Sequence, residues 1–285
     1  MQKKKILILG SKGFYGKKLT LYLKTKGLKV YSDSRYKKLL KTKKSDFFLN
    51  KLLISIKPNI IINLVANTDV NFCETNRNEA KKSNIYFTKN LTKLVSKNKI
   101  NTHLIHFSTD QVYGGEGTHS EKKTNPKNFY GLTKLKGEFF AKKIPYSILR
   151  LNFVGKSQKK KSLSDWIITN LKKGKKIRVF KNIFFSPIHT STLNRLILTI
   201  IKKPSIGIFN VGSKNKISKA NFAYKLCKSL KFDVKQLKKT NYEKKTFGVE
   251  RPLDMSLNVL KFEKKFKIKL PSVKSEILKL MKEYK

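Results

Sequence analysis

The chain has 285 residues, 39% hydrophobic and 11% aromatic, which is enough apolar material for a full core and too much for a disordered segment. Its 66 Lys and Arg against 17 Asp and Glu leave a formal net charge of +49, a balance that raises the possibility of a polyanion binder. Only six of those residues are arginine (35, 77, 150, 178, 195 and 251), the better reader of phosphates and bases, and the lysines run along the whole length; the excess reads as a lysine bias with no specific nucleic-acid partner.

Lys5-Ile6-Leu7-Ile8-Leu9 reads as a buried strand, continuous rather than alternating. Its apolar run stops at Gly10, too soon for a secretory segment, and no apolar stretch approaches the roughly 18 residues of a membrane span. A helical pattern follows from Lys17 to Lys26, then a strand from Leu28 to Ser32, and helical character at Leu52–Ile56. Lys57-Pro58-Asn59 leads into a third strand, Ile60 to Leu64, and a long helix is predicted over Asn76–Lys97. His103–Phe107 is a fourth strand, Phe129–Lys142 a helix and Tyr146–Leu151 a fifth strand. This alternation predicts βαβ units and a parallel sheet, an α/β fold. The pattern loses regularity near residue 152, beside Lys-rich turns at 156–161 and 172–176, which places a domain transition there without a clean boundary. Cys73 and Cys227, lacking CxxC spacing, suggest neither a disulfide framework nor a metal site, and the expected compartment is the cytoplasm.

Gly10, Gly13 and Gly16 stand between a predicted strand and a predicted helix, where glycine lets the backbone turn sharply and approach a diphosphate at a helix N-terminus. At the second strand's end, Ser34 with Arg35 favours the 2′-phosphate of NADP; Asp33, one register away, would favour NAD. Val65-Ala66-Asn67-Thr68 leaves the third strand with small side chains that clear a flat cofactor, and Asn84 is either a buried brace or an exposed helix residue. Ser108-Thr109-Asp110 ends the fourth strand at the ligand-binding edge of the sheet. Tyr130 and Lys134 lie one helical turn apart and face the same side. A nearby ammonium lowers a phenol's pKa, so Tyr130 is expected to be acidified by Lys134 and to donate a proton to an alkoxide, with Thr109 bonded to the carbonyl oxygen.

On these residues the chain resembles an extended short-chain dehydrogenase/reductase, and within that group the dTDP-4-dehydrorhamnose reductase family. The matching segments are Ile8 to Gly16, Ile62 to Asp69 with Cys73-Glu74 and Asn84, Phe107 to Gly114, Asn125 to Glu138, Arg150 to Gly155, Ser186-Pro187 and Arg251 to Leu257. The resemblance implies a Rossmann-type parallel sheet over 1–151 and a smaller carboxyl-terminal substrate-binding region over 152–285, partly interleaved with the first. It implies reduction of the C4 ketone of a nucleoside-diphosphate 6-deoxyhexulose by NADPH, NADH being the alternative donor, in deoxysugar and cell-surface polysaccharide biosynthesis. It carries the catalytic roles to Thr109, Tyr130 and Lys134. Cofactor contacts fall on Gly10, Lys12, Gly13, Phe14, Tyr15, Gly16, Ser34, Arg35, Val65, Ala66 and Asn67, besides Tyr130 and Lys134. Substrate contacts fall on Thr68, Ser108, Asp110, Gln111, Asn152, Phe153 and Arg251, with no metal and with room for a homodimer.

Some positions depart from that family. Phe14-Tyr15 stands in the glycine loop as in sugar-nucleotide epimerases, and Phe153 replaces an expected tryptophan. Trp166, further on, is read as a packing residue, and Arg251 either clamps a diphosphate or pairs with a carboxylate such as Asp254. An epimerase or dehydratase of the same superfamily is a second reading, although Gln111 stands where a dehydratase wants a second carboxylate. A non-catalytic NADP-binding regulatory subunit is a third; the regulatory subunit of methionine adenosyltransferase resembles this family too.

Overall fold

The computed structural model describes residues 4–33, 45–157, 162–243 and 248–285. Strands β1 (Lys5–Leu9), β2 (Lys29–Asp33), β3 (Ile60–Asn63), β4 (His103–Phe107) and β5 (Tyr146–Leu151) pair in parallel. Between them run α1 (Phe14–Thr25), α2 (Ser45–Ile56), α3 (Val70–Thr75), α4 (Arg77–Lys81), α5 (Phe87–Lys97) and α6 (Phe129–Ala141). The predicted helix over Asn76–Lys97 is interrupted: a π-helical turn at Lys82–Tyr86 separates α4 from α5.

The second half opens with β6 (Phe153–Val154), α7 (Leu163–Lys172), β7 (Ile177–Phe180), β8 (Phe184–Phe185) and β9 (Ile188–His189). Next come α8 (Thr190–Lys202), β10 (Gly207–Val211), β11 (Ile217–Ser218) and α9 (Lys219–Ser229). The chain closes with β12 (Leu237–Thr240), β13 (Asp254–Met255), α10 (Leu260–Phe266) and α11 (Val273–Lys282). β10 returns to the main sheet, where Gly207–Val211 pairs with Ser147–Leu151, so the order among the described residues is β10-β5-β4-β3-β1-β2.

The strands are apolar without alternation because both faces are covered. Ile6, Ile8, Ile60, Ile62 and Ile105 point to one core, filled by Leu19 and Leu23 of α1, Leu193 and Ile197 of α8 and Phe262 of α10. Leu7, Leu9, Ile61, Leu104 and Ile148 point to the other, filled by Leu49 and Leu53 of α2 and Leu91 of α5. Each such side chain contributes about 1.5–3 kcal/mol on burial. A separate cluster, drawn wholly from the second half, packs Ile168, Phe185, Phe222, Leu226 and Leu280.

Strand order reverses at β1, with β2 on one side and β3 on the other, and open parallel sheets take their ligands at such a point, beyond the carboxyl ends of the strands.

Candidate active site

The glycine loop sits at that reversal. Gly13 N–H donates to Gly10 O at 2.9 Å, and Gly10 holds φ +95°, a left-handed conformation costly for other residues. A Cβ on Gly16 would lie 2.3 Å from Gly10 O, so the helix can approach the loop only with glycine there. Gly13 caps α1 without a side-chain hydrogen bond, an arrangement suited to an anion at the helix N-terminus. Lys12 is exposed at its rim. Phe14 and Tyr15 both approach Phe153, at ring distances of 5.9 and 5.2 Å, and Tyr15 also touches Phe107. Tyr15 is a core residue; Phe14 is half-buried. Ser34 and Arg35 lie outside the described residues.

Beyond β3, Val65 is buried, Ala66 and Asn67 half-buried, and Thr68 exposed. Asn84 resolves to the buried reading. Its amide accepts from Asn67 N–H at 2.8 Å and donates to Asn67 O at 3.1 Å and to the Thr133 hydroxyl at 2.9 Å. The π turn puts this amide between the β3 loop and α6. Gly137 allows the approach, since a Cβ there would meet Asn84 O at 2.4 Å.

Thr109, Tyr130 and Lys134 converge, all buried, at the end of β4. Asn128 fixes the start of α6: its side chain accepts from Gly131 N–H, while its amide donates to Gln111 Oε1 and Glu250 O. Thr109 accepts from Gln111 N–H and donates to Asp110 Oδ1, both at 3.2 Å, and its hydroxyl acts on the nearby Tyr130 phenol. Lys134 donates to Phe107 O at 2.6 Å. The expectation that Lys134 acidifies Tyr130 is not met. Burial holds the phenol well above its ordinary value, and the Thr109 hydroxyl only partly offsets this. Burial also brings Lys134 down to about 8, against the pull of the Glu138 carboxylate. For Lys134 desolvation wins over the Glu138 charge; at Tyr130 the influence of Asp110 and Cys73 adds to desolvation.

Behind these groups lies a network that composition and spacing did not disclose. Arg150 grips Glu138 through two bonds of 2.9 and 2.7 Å, both residues being buried. Arg150 also donates to the Tyr113 hydroxyl, and Ser108 donates to Glu138 Oε1. Ser108, expected at the substrate, therefore has its hydroxyl committed to this brace.

On the opposite wall Asn152 donates to Asp110 Oδ2 at 2.9 Å. Burial raises Asp110 to about 6, offset in part by the Lys219 ammonium and the bonds from Asn152 and Thr109. Lys219 was missed from sequence because one lysine among so many carries no signal. It starts α9, with its ammonium 3.3 Å from the Phe185 ring centre. Arg251 does not pair with Asp254, which takes Lys216 at 2.6 Å; Arg251 donates to Asn71 Oδ1 at 2.9 Å. Trp166, expected to pack, is 46% exposed on α7 because its position faces away from that helix's buried side.

Comparison with known proteins agrees with this geometry. Residues 4–285 match the family described as the RmlD substrate binding domain. The probable low-salt glycan biosynthesis reductase Agl14 of Haloferax volcanii is 25% identical over 239 residues, covering 81% of this chain and 79% of that one. The structure of a dTDP-4-dehydrorhamnose reductase ortholog from Clostridium acetobutylicum superposes with a TM-score of 0.88 at 26% identity, over 98% of both chains. The Bacillus anthracis dTDP-4-dehydrorhamnose reductase, solved with NADP, gives a TM-score of 0.90 at 23% identity, covering 99% of this chain and all of that one. The family match spans both cores and every described part of the site, and the chain accordingly belongs to the RmlD substrate binding domain family, the dTDP-4-dehydrorhamnose-reductase-like group of sugar-nucleotide reductases.

Proposed function

We propose that this protein uses NADPH to reduce the C4 ketone of a nucleoside-diphosphate 6-deoxyhexulose, with dTDP-4-dehydro-L-rhamnose the first compound to try. The observation that carries the reading is the convergence of buried Thr109, Tyr130 and Lys134 beside the crevice that holds the glycine loop. NADPH supplies the hydride. Residues 1–151 hold the cofactor, and 152–285 chiefly hold the sugar nucleotide. The NADP in the Bacillus anthracis reductase supports the choice of cofactor.

Tyr130, protonated before the reaction, donates its phenol proton to the forming alkoxide. Thr109 orients the carbonyl oxygen through its hydroxyl. Lys134, cationic below about 8, stabilises the phenolate left after donation. Val65, Ala66 and Asn67 bound the cofactor's path, Thr68, Asp110, Gln111 and Asn152 the sugar's, and Phe153 and Arg251 lie toward the diphosphate.

The test is NADPH oxidation with a panel of 4-keto sugar nucleotides. Turnover of at least one supports the proposal. Failure with all of them, in a folded protein that still binds NADPH, makes the regulatory-subunit reading the better one.

A further inference from the structure

Asn63 ends β3 and His106 lies beside it in register on β4, both of them buried. The Asn63 side chain makes three hydrogen bonds. Its Oδ1 accepts from Val65 N–H at 3.0 Å. Its Nδ2 donates to Thr88 Oγ1 of α5 at 3.3 Å and meets His106 Nδ1 at 3.2 Å. Val65 N–H is a donor and faces the amide oxygen, so the amide nitrogen faces the ring. His106 Nδ1 is therefore the acceptor, and the ring proton stands on Nε2. That Nε2 is buried without a hydrogen-bond partner among the described residues, 3.7 Å from the point a Cβ on Gly137 would occupy. Burial, joined by the Lys134 ammonium, pushes the ring's pKa well below its ordinary 6.5 and keeps it uncharged.

These bonds end on a wall of the glycine-loop cradle. Leu64 N–H donates to Leu9 O at 2.9 Å, and a Cβ on Gly10 would lie 3.0 Å from the Leu64 carbonyl carbon. Leu64 thus abuts the glycine loop. Val65, the next residue, is anchored by Asn63, and Asn67 is anchored by Asn84. The segment 64–67 is held at both ends, and one of the two holds depends on His106.

We propose that His106, with Nδ1 as acceptor, is a positioning residue for the dinucleotide: through Asn63 it sets the seating of the 64–67 segment against the glycine loop. Without that acceptor a buried amide N–H of Asn63 has no partner. The amide then regains one only by turning away from Val65, and the cradle wall loses its anchor. His106 itself stays behind the sheet end and acts through Asn63 alone.

The inference rests on the cradle holding NADPH, and its test needs no sugar nucleotide. The histidine rings are labelled with nitrogen-15, and the His106 signals are identified by their loss in His106→Asn. At neutral pH they should show a bare Nδ1 and a protonated Nε2. His106→Leu is expected to raise the NADPH dissociation constant about tenfold, the cost of one buried hydrogen bond left unmade. His106→Asn, which returns an acceptor near the Nδ1 position, should stay within about threefold of wild type. Thr88→Val removes the other acceptor of the Asn63 amide and should weaken NADPH about fivefold. An imidazolium, or a proton on Nδ1, overturns the inference. So does a His106→Leu protein that is less stable in urea yet binds NADPH as tightly as wild type. Thr88→Val decides in the same way should His106→Leu misfold. A wild-type protein that binds no NADPH overturns the inference and the proposed function together. One that shows the expected ring signals and affinities yet reduces no sugar nucleotide counts against the proposed function and leaves this inference standing.

Discussion

The two halves of the chain build their sides of the crevice differently. The first presents long parallel strands whose ends carry Gly10, Val65 and Thr109, with a dense set of buried polar bonds behind them. The second presents two-residue strands at 153–154, 184–185, 188–189, 217–218 and 254–255, and it reaches the crevice through isolated side chains such as Asn152, Lys219 and Arg251. Under the proposed function, reaction chemistry, which needs fixed geometry, falls where the backbone ladder is continuous, and selection among substrates, which needs side chains that can be exchanged, falls on short segments.

The largest expected effect tests how rigid the first half is. Glu138→Gln leaves the buried Arg150 charge without its partner, and urea denaturation should show a loss of about 3–5 kcal/mol. A loss under about 1 kcal/mol would mean that water reaches this pair and that the first half is softer than its bonds suggest. Tyr130→Phe should retain NADPH binding, read by fluorescence, and lose reduction by at least about a hundredfold. Full turnover by that variant would remove the phenol from the reaction.

The next two concern the second half. Arg251→Ala is expected to raise KM for the sugar nucleotide about tenfold with little change in kcat, since a charged hydrogen bond is worth about 1.5–3 kcal/mol and part is recovered by water. A fall in kcat alone would place Arg251 with the chemistry instead. Glu283, near the carboxyl end, ties both halves together through His189, the Lys156 N–H and Lys18. Burial alone would raise its pKa; these partners outweigh it and hold the carboxyl at about 2, below its ordinary 4.5. The stabilisation is therefore complete above about pH 4.5 and is lost as pH falls toward 2. Glu283→Gln should flatten the acid limb of the stability curve in that window. The smallest effect is the control: Lys82→Ala breaks an exposed pair with Glu79 and should change stability by no more than about 0.5 kcal/mol.

Legibility in the sequence follows the same division. β4 and β5 lie where the apolar runs placed them, because a strand covered on both faces writes itself as an unbroken run. The glycines and the Tyr130–Lys134 spacing were equally visible, since their requirement is local. The π turn was not, because Asn84 is held by Asn67 and Thr133, seventeen and 49 positions away. Nor was the Glu138–Arg150 pair, whose partners lie on different elements and share no periodicity. Two-residue strands are too short to carry a pattern of their own. The acidified phenol failed as an expectation for a related reason: sequence gives the neighbouring charge but not the depth at which both groups are buried.

The return of β10 to the edge of the central sheet has a consequence for biosynthesis of the protein itself. Until Gly207–Val211 has left the ribosome, the outer edge of β5 offers its unpaired N–H and C=O groups to any neighbouring chain. The face that α8 and α10 later cover, including Leu149 and Leu151, stays open over the same interval. A nascent chain ending anywhere between residues 151 and 207 thus carries a sticky strand beside an apolar surface, the state in which chaperones are most needed. A fragment cut after β5 should aggregate even though every residue of the glycine loop and of the Thr109, Tyr130 and Lys134 set is present. Sharing one strand across the halves makes late synthesis the step that commits early synthesis to its fold.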